Sequence, residues 1–130
     1  MAKGRIYKIV GQISDEIVDR YKLYEYRNTD IVQSLDLYQH VAKHAKEFES
    51  VDSFNNTLFN ISDIIAKPIF VYYDFERKSL QYFKELDENV CVVVKLKLRK
   101  NKDNYVASVY PVNKQKIIRL KEQSYIAKDN

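Results

Sequence analysis

The chain has 130 residues, 45% hydrophobic and 31% charged, which fits one soluble globular domain (1–130) with its own core. Only 2 glycines are present, Gly4 and Gly11, too few for a phosphate-binding P-loop or a dinucleotide-binding turn. The single Cys91 excludes a disulfide framework and a cysteine-based zinc site and points to a reducing compartment, the cytoplasm; no apolar run approaches the roughly 18 residues of a membrane span.

In chain order, Ile6-Tyr7-Lys8-Ile9-Val10 reads as a first strand, with Gly11 allowing a bulge or close packing just after it. Asp15-Glu16 opens a helix over about 15–26, acidic in its first turn as the helix dipole favours. After the turn Arg27-Asn28-Thr29-Asp30, Ile31-Val32 reads as a short strand. A second helix, capped by Ser34, is expected over 35–49, where Leu35, Tyr38, Val41, Ala42, Ala45 and Phe48 form one apolar stripe. A third is expected over 53–66, capped by Asp52 or Ser53 and stopped before Pro68. The period then changes. Ile69–Phe75, Leu80–Leu86, Val90–Leu98 and Tyr105–Val112 are β-branched or aromatic runs separated by short polar stretches, the signature of an antiparallel meander. Lys114–Lys121 reads as a last strand. The whole is an α+β fold with N-terminal helices packed on one face of a C-terminal antiparallel sheet.

The two histidines, His40 and His44, lie four apart on the second helix. With Tyr38 at zero and about 100° per residue, His40 falls near ~200° and His44 near ~240°, adjacent to each other and outside the apolar stripe. They are either a wet helix face or an acid–base pair. The spacing also suits a zincin helix, but Val41 stands where that site needs its glutamate, and no third ligand completes the shell.

A hairpin closing over Arg99–Asn104 would set Leu98 opposite Tyr105, Lys95 opposite Ser108 and Val93 opposite Tyr110. Alternation then gathers Lys95, Lys97, Ser108 and Tyr110 on one polar face. Residues 1–89 carry 12 Lys/Arg against 15 Asp/Glu, whereas residues 90–130 carry 10 against 3. That basic third is either a polyanion footprint, with Lys97, Lys114 and Lys116 as substrate-binding groups, or a solvated surface. RNA cleavage without a metal needs such a set: a group that takes the 2′-hydroxyl proton, one that protonates the leaving 5′-oxygen, and cations that offset phosphoryl charge. Exposed tyrosines suit the stacking of unpaired bases.

Several segments together resemble the phage-associated nuclease families of the barnase–EndoU–colicin–RelE superfamily of metal-independent ribonucleases. They are Tyr7–Ile13, the His40–His44 helix with Phe48, Ile61–Pro68, Val92-Val93-Val94-Lys95 and Val106–Tyr110, together spanning roughly 5–118. The resemblance implies N-terminal helices on an antiparallel sheet, a cytoplasmic toxin or mobile-element accessory protein, RNA as substrate, no cofactor, and an antitoxin or immunity protein as partner. It points to His44, with His40 beside it, for acid–base work, and to Lys95, Ser108 and Tyr110 as the other catalytic groups; Asp74 and Glu76 near a strand end are candidate carboxylates. The expectation is a metal-independent endoribonuclease. Its rivals are a silent nucleic-acid-binding module on the same sheet and a protein-interaction factor of a phage or mobile element, whose tyrosine-rich surface meets another protein.

Overall fold

Alternation of apolar and polar residues makes strands wherever one face can be buried. In the computed structural model, which describes residues 6–97 and 103–129 with side chains as far as Ser124, six such segments join one sheet. They are β1 (Tyr7–Gln12), β2 (Asp30–Ser34), β3 (Phe70–Asp74), β4 (Ser79–Glu85), β5 (Asn89–Lys95) and β6 (Asn104–Pro111). The strand order is β1-β2-β6-β5-β4-β3. The predicted meander from β3 to β6 is present with antiparallel pairing throughout. The sheet as a whole is mixed, because β2 runs parallel to β6 through Ile31–Asn104 and Val32–Tyr105. The strict division into N-terminal helices and a C-terminal sheet therefore fails: β1 and β2 extend the sheet beyond β6, whose outer edge would otherwise carry unpaired backbone groups. Fully buried Asn104 secures this junction. Its amide donates to Thr29 Oγ1 (2.8 Å) and to the Asp30 carbonyl (2.9 Å), and its Oδ1 accepts from the Lys97 N–H (3.1 Å).

The first face of the sheet is a closed apolar layer. Leu80, Tyr82, Val90, Val92, Val94, Val106 and Val109 pack there with Ile17 and Val18 of α1 (Asp15–Tyr21), Phe54 of α3 (Val51–Phe59) and Ile61 and Ile64 of α4 (Ile61–Ala66). Helix α1 is capped by Ser14, whose Oγ accepts from the Ile17 N–H, and ends at Lys22 with φ 60°. The third predicted helix is two, since Asn60 turns its side chain back onto the Asn56 carbonyl (2.7 Å) between α3 and α4. Its cap is Ser50, not Asp52 or Ser53. Gly11 lies at the β1 bulge, where an added Cβ would stand 2.8 Å from Ile65 Cγ2 of α4.

The second predicted helix also departs from expectation. It is α-helical only over α2 (Leu37–Val41) and tightens to a 3₁₀ turn over Ala42–Glu47, so the 100° step does not carry from His40 to His44. Lys114–Lys121 is not a strand. It opens α5 (Lys114–Asp129), with the Asn113 side chain accepting the Lys116 N–H, and buries Ile117, Leu120 and Ser124 at helical spacing on the second face of the sheet.

Candidate functional site

The second face is organised in rows running across β6, β5, β4 and β3. The first row is Tyr110–Cys91–Phe83–Phe70. Helix α5 lays Ile117 and Leu120 over Cys91, Phe83 and Phe70, making a small second core. The next row is Ser108–Val93–Gln81–Tyr72 and the one beyond it Tyr105–Lys95–Ser79–Asp74. Most of these two rows is half-buried; Ser79 is buried and Tyr105 exposed.

Pairing between β5 and β6 differs from the sequence reading by two residues as far as Val93 and by three at Val94 and Lys95, beyond a bulge. Lys95 stands opposite Tyr105, and Ser108 opposite Val93, with Tyr110 opposite Cys91. β5 stops at Lys95, where the Asn104 side chain takes the Lys97 N–H in place of a ladder bond, so the turn is longer than expected. Part of that predicted turn, including Arg99, lies outside the described residues. A two-residue slip preserves parity. A bulge at Ala107 then keeps Val106 in the first core while Tyr105 pairs with Lys95. Lys95, Ser108 and Tyr110 therefore do share one face, as expected, but Lys95 and Ser108 are diagonal rather than opposed. Lys97 falls just beyond the strand.

β2 pairs with only the first two residues of β6, and the turn Ala42–Glu47 packs beside the rest of that strand. This brings the His44 ring to 6.5 Å from the Tyr110 ring, tilted at 51°. His44 Nδ1 is 2.8 Å from Glu47 Oε2. Lys116 Nζ sits 5.1 Å from the centre of the Tyr110 ring, a cation–π distance. Three separate segments thus meet at one tyrosine. Burial pushes the Tyr110 hydroxyl well above its ordinary range, and the hydrogen bond and charge interaction with Cys91 add to the rise. Burial likewise pushes the Cys91 thiol up to about 12, against smaller opposing effects of Tyr110 and Lys116. Both groups are neutral at physiological pH.

The remaining predicted residues are placed as follows. His40 is exposed on α2 and turned to Asp36, with Nε2 3.3 Å from Oδ1. Lys95 donates its ammonium to the Arg77 carbonyl in the β3–β4 turn, and Asp74, which accepts the Arg77 N–H (3.2 Å), ends the same row. Glu76 is exposed in that turn and Lys114 exposed at the start of α5. Lys95 lies four residues along β5 from Cys91, about 13 Å at the usual strand rise, so the cations Lys116 and Lys95 stand at the two ends of the polar rows. Among the described residues no group of three or more His, Cys, Asp or Glu is placed to hold a metal ion. Sequence reasoning missed Glu47, three residues after His44, and Gln81. The alternation Leu80-Gln81-Tyr82 is the signal that marks Gln81 for the polar face.

An α+β fold with one sheet face closed and the other carrying an imidazole, cations and hydroxyls between its strands has the build of a small nuclease-like protein. The chain belongs to the family described as phage-Barnase-EndoU-ColicinE5/D-RelE like nuclease3, which matches residues 8–119. Membership gives a phage-associated nuclease family and nucleic acid as the substrate class it implies. No curated protein and no solved structure matches the chain. No described helix is long and apolar enough to cross a membrane.

Proposed function

We propose that this protein is a metal-independent endoribonuclease whose reacting centre is built around His44. The observation that carries the reading is the meeting of His44, Tyr110 and Lys116, from the Ala42–Glu47 turn, β6 and α5. A carboxylate only accepts, so the bond to Glu47 keeps the proton on His44 Nδ1 and leaves the lone pair on Nε2. That nitrogen takes the proton of a ribose 2′-hydroxyl as its oxygen attacks the adjacent phosphorus. The P–O5′ bond breaks, and the proton passes to the departing 5′-oxygen, leaving a 2′,3′-cyclic phosphate and a 5′-hydroxyl. Lys116 and Ser108 offset and orient the charge on the phosphoryl oxygens, and Lys95, at the far end of the rows, serves a neighbouring phosphate of the strand. Tyr110 is a positioning residue, whose ring lies beside both His44 and Lys116. Lys97 and Lys114 extend the cationic path for the strand. In a phage-associated family this activity suits a cytoplasmic toxin or accessory protein, restrained by an antitoxin or immunity protein.

A second reading, a nucleic-acid-binding module that does not cleave, is favoured by one observation. The Lys95 ammonium is already engaged by the Arg77 carbonyl of the fold. Incubating wild type and His44→Ala with total RNA in EDTA separates the readings. Cleavage to cyclic-phosphate ends, slowed about 10²–10⁴-fold in His44→Ala, is the expected result. Salt-dependent binding with no cleavage would establish the second reading instead, and equal cleavage by both proteins would remove His44 from the mechanism.

A further inference from the structure

The sheet has two edges, and they are finished differently. At β3 the Tyr21 hydroxyl of α1 donates to the Val71 carbonyl (2.7 Å), and Ser124 Oγ of α5 lies 3.1 Å from the same hydroxyl. Helices from both faces thus close on that strand. At the other edge, β1 pairs with β2 alone. The Leu35 N–H donates to the Ile6 carbonyl (3.0 Å), so alternation turns the backbone of Ile6 and Lys8 toward β2 and that of Tyr7 and Ile9 outward. The side chains on this edge are open as well: Ile6 is 68%, Tyr7 50% and Ile9 64% exposed. Tyr7 and Ile9 stand on the second face, where Ile9 extends the row Val32–Tyr105–Lys95. Lys8 projects to the other side, exposed and without an ion pair among the described residues. A strand guarded against addition is short, bent or charged. Lys8 and the bulge after Ile9 limit the free stretch, but three exposed apolar side chains remain on it.

We propose that β1 is the docking edge for a protein partner, which adds an extended segment reading apolar–acidic–apolar opposite Tyr7, Lys8 and Ile9. The outward N–H and C=O groups of Tyr7 and Ile9 supply the main-chain bonds of strand addition, and alternate side chains supply the selection. Apolar residues of the segment cover Tyr7 and Ile9, and the acid lies directly across from the unpaired Lys8. Charge also decides against a second copy of this chain. Within the described residues, the one two-fold antiparallel register that bonds both outward residues sets Tyr7 against Ile9, and therefore Lys8 against Lys8. Setting Ile9 against Ile9 would bring Tyr7 to Gly11, whose backbone is turned to Ile31 beyond the bulge. Like charges directly opposed are unfavourable, whereas a foreign acidic residue is not. The inference goes beyond RNA cleavage and does not depend on it, since β1 lies two strands from β6.

The test titrates the full chain with the peptide acetyl-Ser-Thr-Val-Glu-Val-Thr-Ser-amide, followed by nuclear magnetic resonance and amide exchange. Binding should slow exchange at Tyr7 and Ile9 and leave Lys8, already bonded to β2, little changed. Methylating the two valine nitrogens, which would face β1, should weaken binding about 10-fold or more. Methylating the glutamate nitrogen, which faces away, should not. Replacing the peptide's Glu by Lys should weaken binding about 3–10-fold, and Lys8→Glu, a change at an exposed position, should reverse that preference. Four results would each overturn the proposal: no binding at millimolar peptide, equal loss whichever nitrogen is methylated, a Glu preference that survives Lys8→Glu, or a dimer of the protein alone that protects Tyr7 and Ile9. None of these readouts involves RNA, so failure here leaves the cleavage experiment standing, and failure of cleavage leaves this one.

Discussion

The two faces of the sheet use alternate residues of the same strands for different ends. On the first face Leu80, Tyr82, Val92 and Val94 are fully buried under α1, α3 and α4. On the second, Ser79, Gln81, Val93 and Lys95 occupy the intervening positions, and only the row beneath α5 is apolar. One face excludes water along its length; the other is polar beyond that row. The difference places the chemistry away from the cooperative core, so a site residue can change without unfolding the sheet it stands on.

The largest expected effect separates the two histidines. His44→Ala should lower the RNA cleavage rate about 10²–10⁴-fold, whereas His40→Ala, which removes an exposed ring paired to Asp36, should change it less than about 3-fold. Melting temperatures of both variants should stay close to wild type. Comparable losses of activity in both would show that the two rings act together, against the separation seen between α2 and the following turn.

A second comparison sets neighbours on one strand against each other. Leu80→Ala deletes a fully buried side chain and should cost about 2–5 kcal/mol. Gln81→Leu, one residue on and facing the other way, should stay within about 1 kcal/mol of wild type. Urea denaturation of both measures the contrast. A larger loss at Gln81 than at Leu80 would mean that the polar rows are part of the core.

Much of this contrast was legible in the sequence, and the reasons are local. Alternation in 69–112 marks β3 to β6 to within a few residues, and parity puts Lys95, Ser108 and Tyr110 on one face even though the register is off by two, and by three beyond the bulge. Parity survives such an error because the side-chain period is 2; which residues are directly opposed does not. The parallel pairing of β2 with β6 joins residues more than seventy positions apart, and nothing local encodes it. Helix α5 departs from the expected strand because its stripe is Ile117, Leu120 and Ser124; the adjacent Ile117-Ile118 looks like strand, and a serine disguises the third member. The break after Val41 carries no Gly or Pro to announce it. Of the site, His44, Tyr110 and Lys116 were all named from sequence, but their company was not, since Glu47 and Cys91 matter only once the turn Ala42–Glu47 is laid beside β6.

The covered row of the second face gives a prediction about alkaline pH. The Cys91 thiol rises from an ordinary 9.0 to about 12 through burial, so the folded protein keeps a proton that the unfolded chain loses. Below pH 9 both states hold it and stability is unaffected. Between about pH 9 and 12 the unfolded state binds fewer protons, and stability falls by up to about 1.4 kcal/mol per pH unit from this group. Tyr110, displaced in the same direction, adds to the fall from about pH 10. Cys91→Ala should therefore give a shallower decline in denaturation midpoints taken at pH 8 to 11, even if its stability at pH 8 is lower. Parallel declines would show that Cys91 ionises freely in the folded state.

A last expected effect measures how tightly the first face is closed. Gly11 sits at the β1 bulge against α4, where the Ser62 hydroxyl donates to the Val10 carbonyl at 3.0 Å and fixes the approach. Alanine is ordinarily preferred to glycine in a strand interior by roughly 0.5–1 kcal/mol, because it restricts the unfolded chain. Here the added methyl would meet Ile65 Cγ2 at 2.8 Å, on a branched side chain that is itself buried. The sign should reverse, with Gly11→Ala destabilising by about 1–3 kcal/mol. Trimming the obstructing side chain in Gly11→Ala/Ile65→Ala should make the added methyl less costly than it is in the presence of Ile65, a coupling that a double-mutant cycle reads directly. The matching addition on the other face, Val93→Ile at a half-buried position, should move stability by less than about 0.5 kcal/mol. If Gly11→Ala were neutral or stabilising, α4 would have room to withdraw, and the first face would be no more tightly packed than the second.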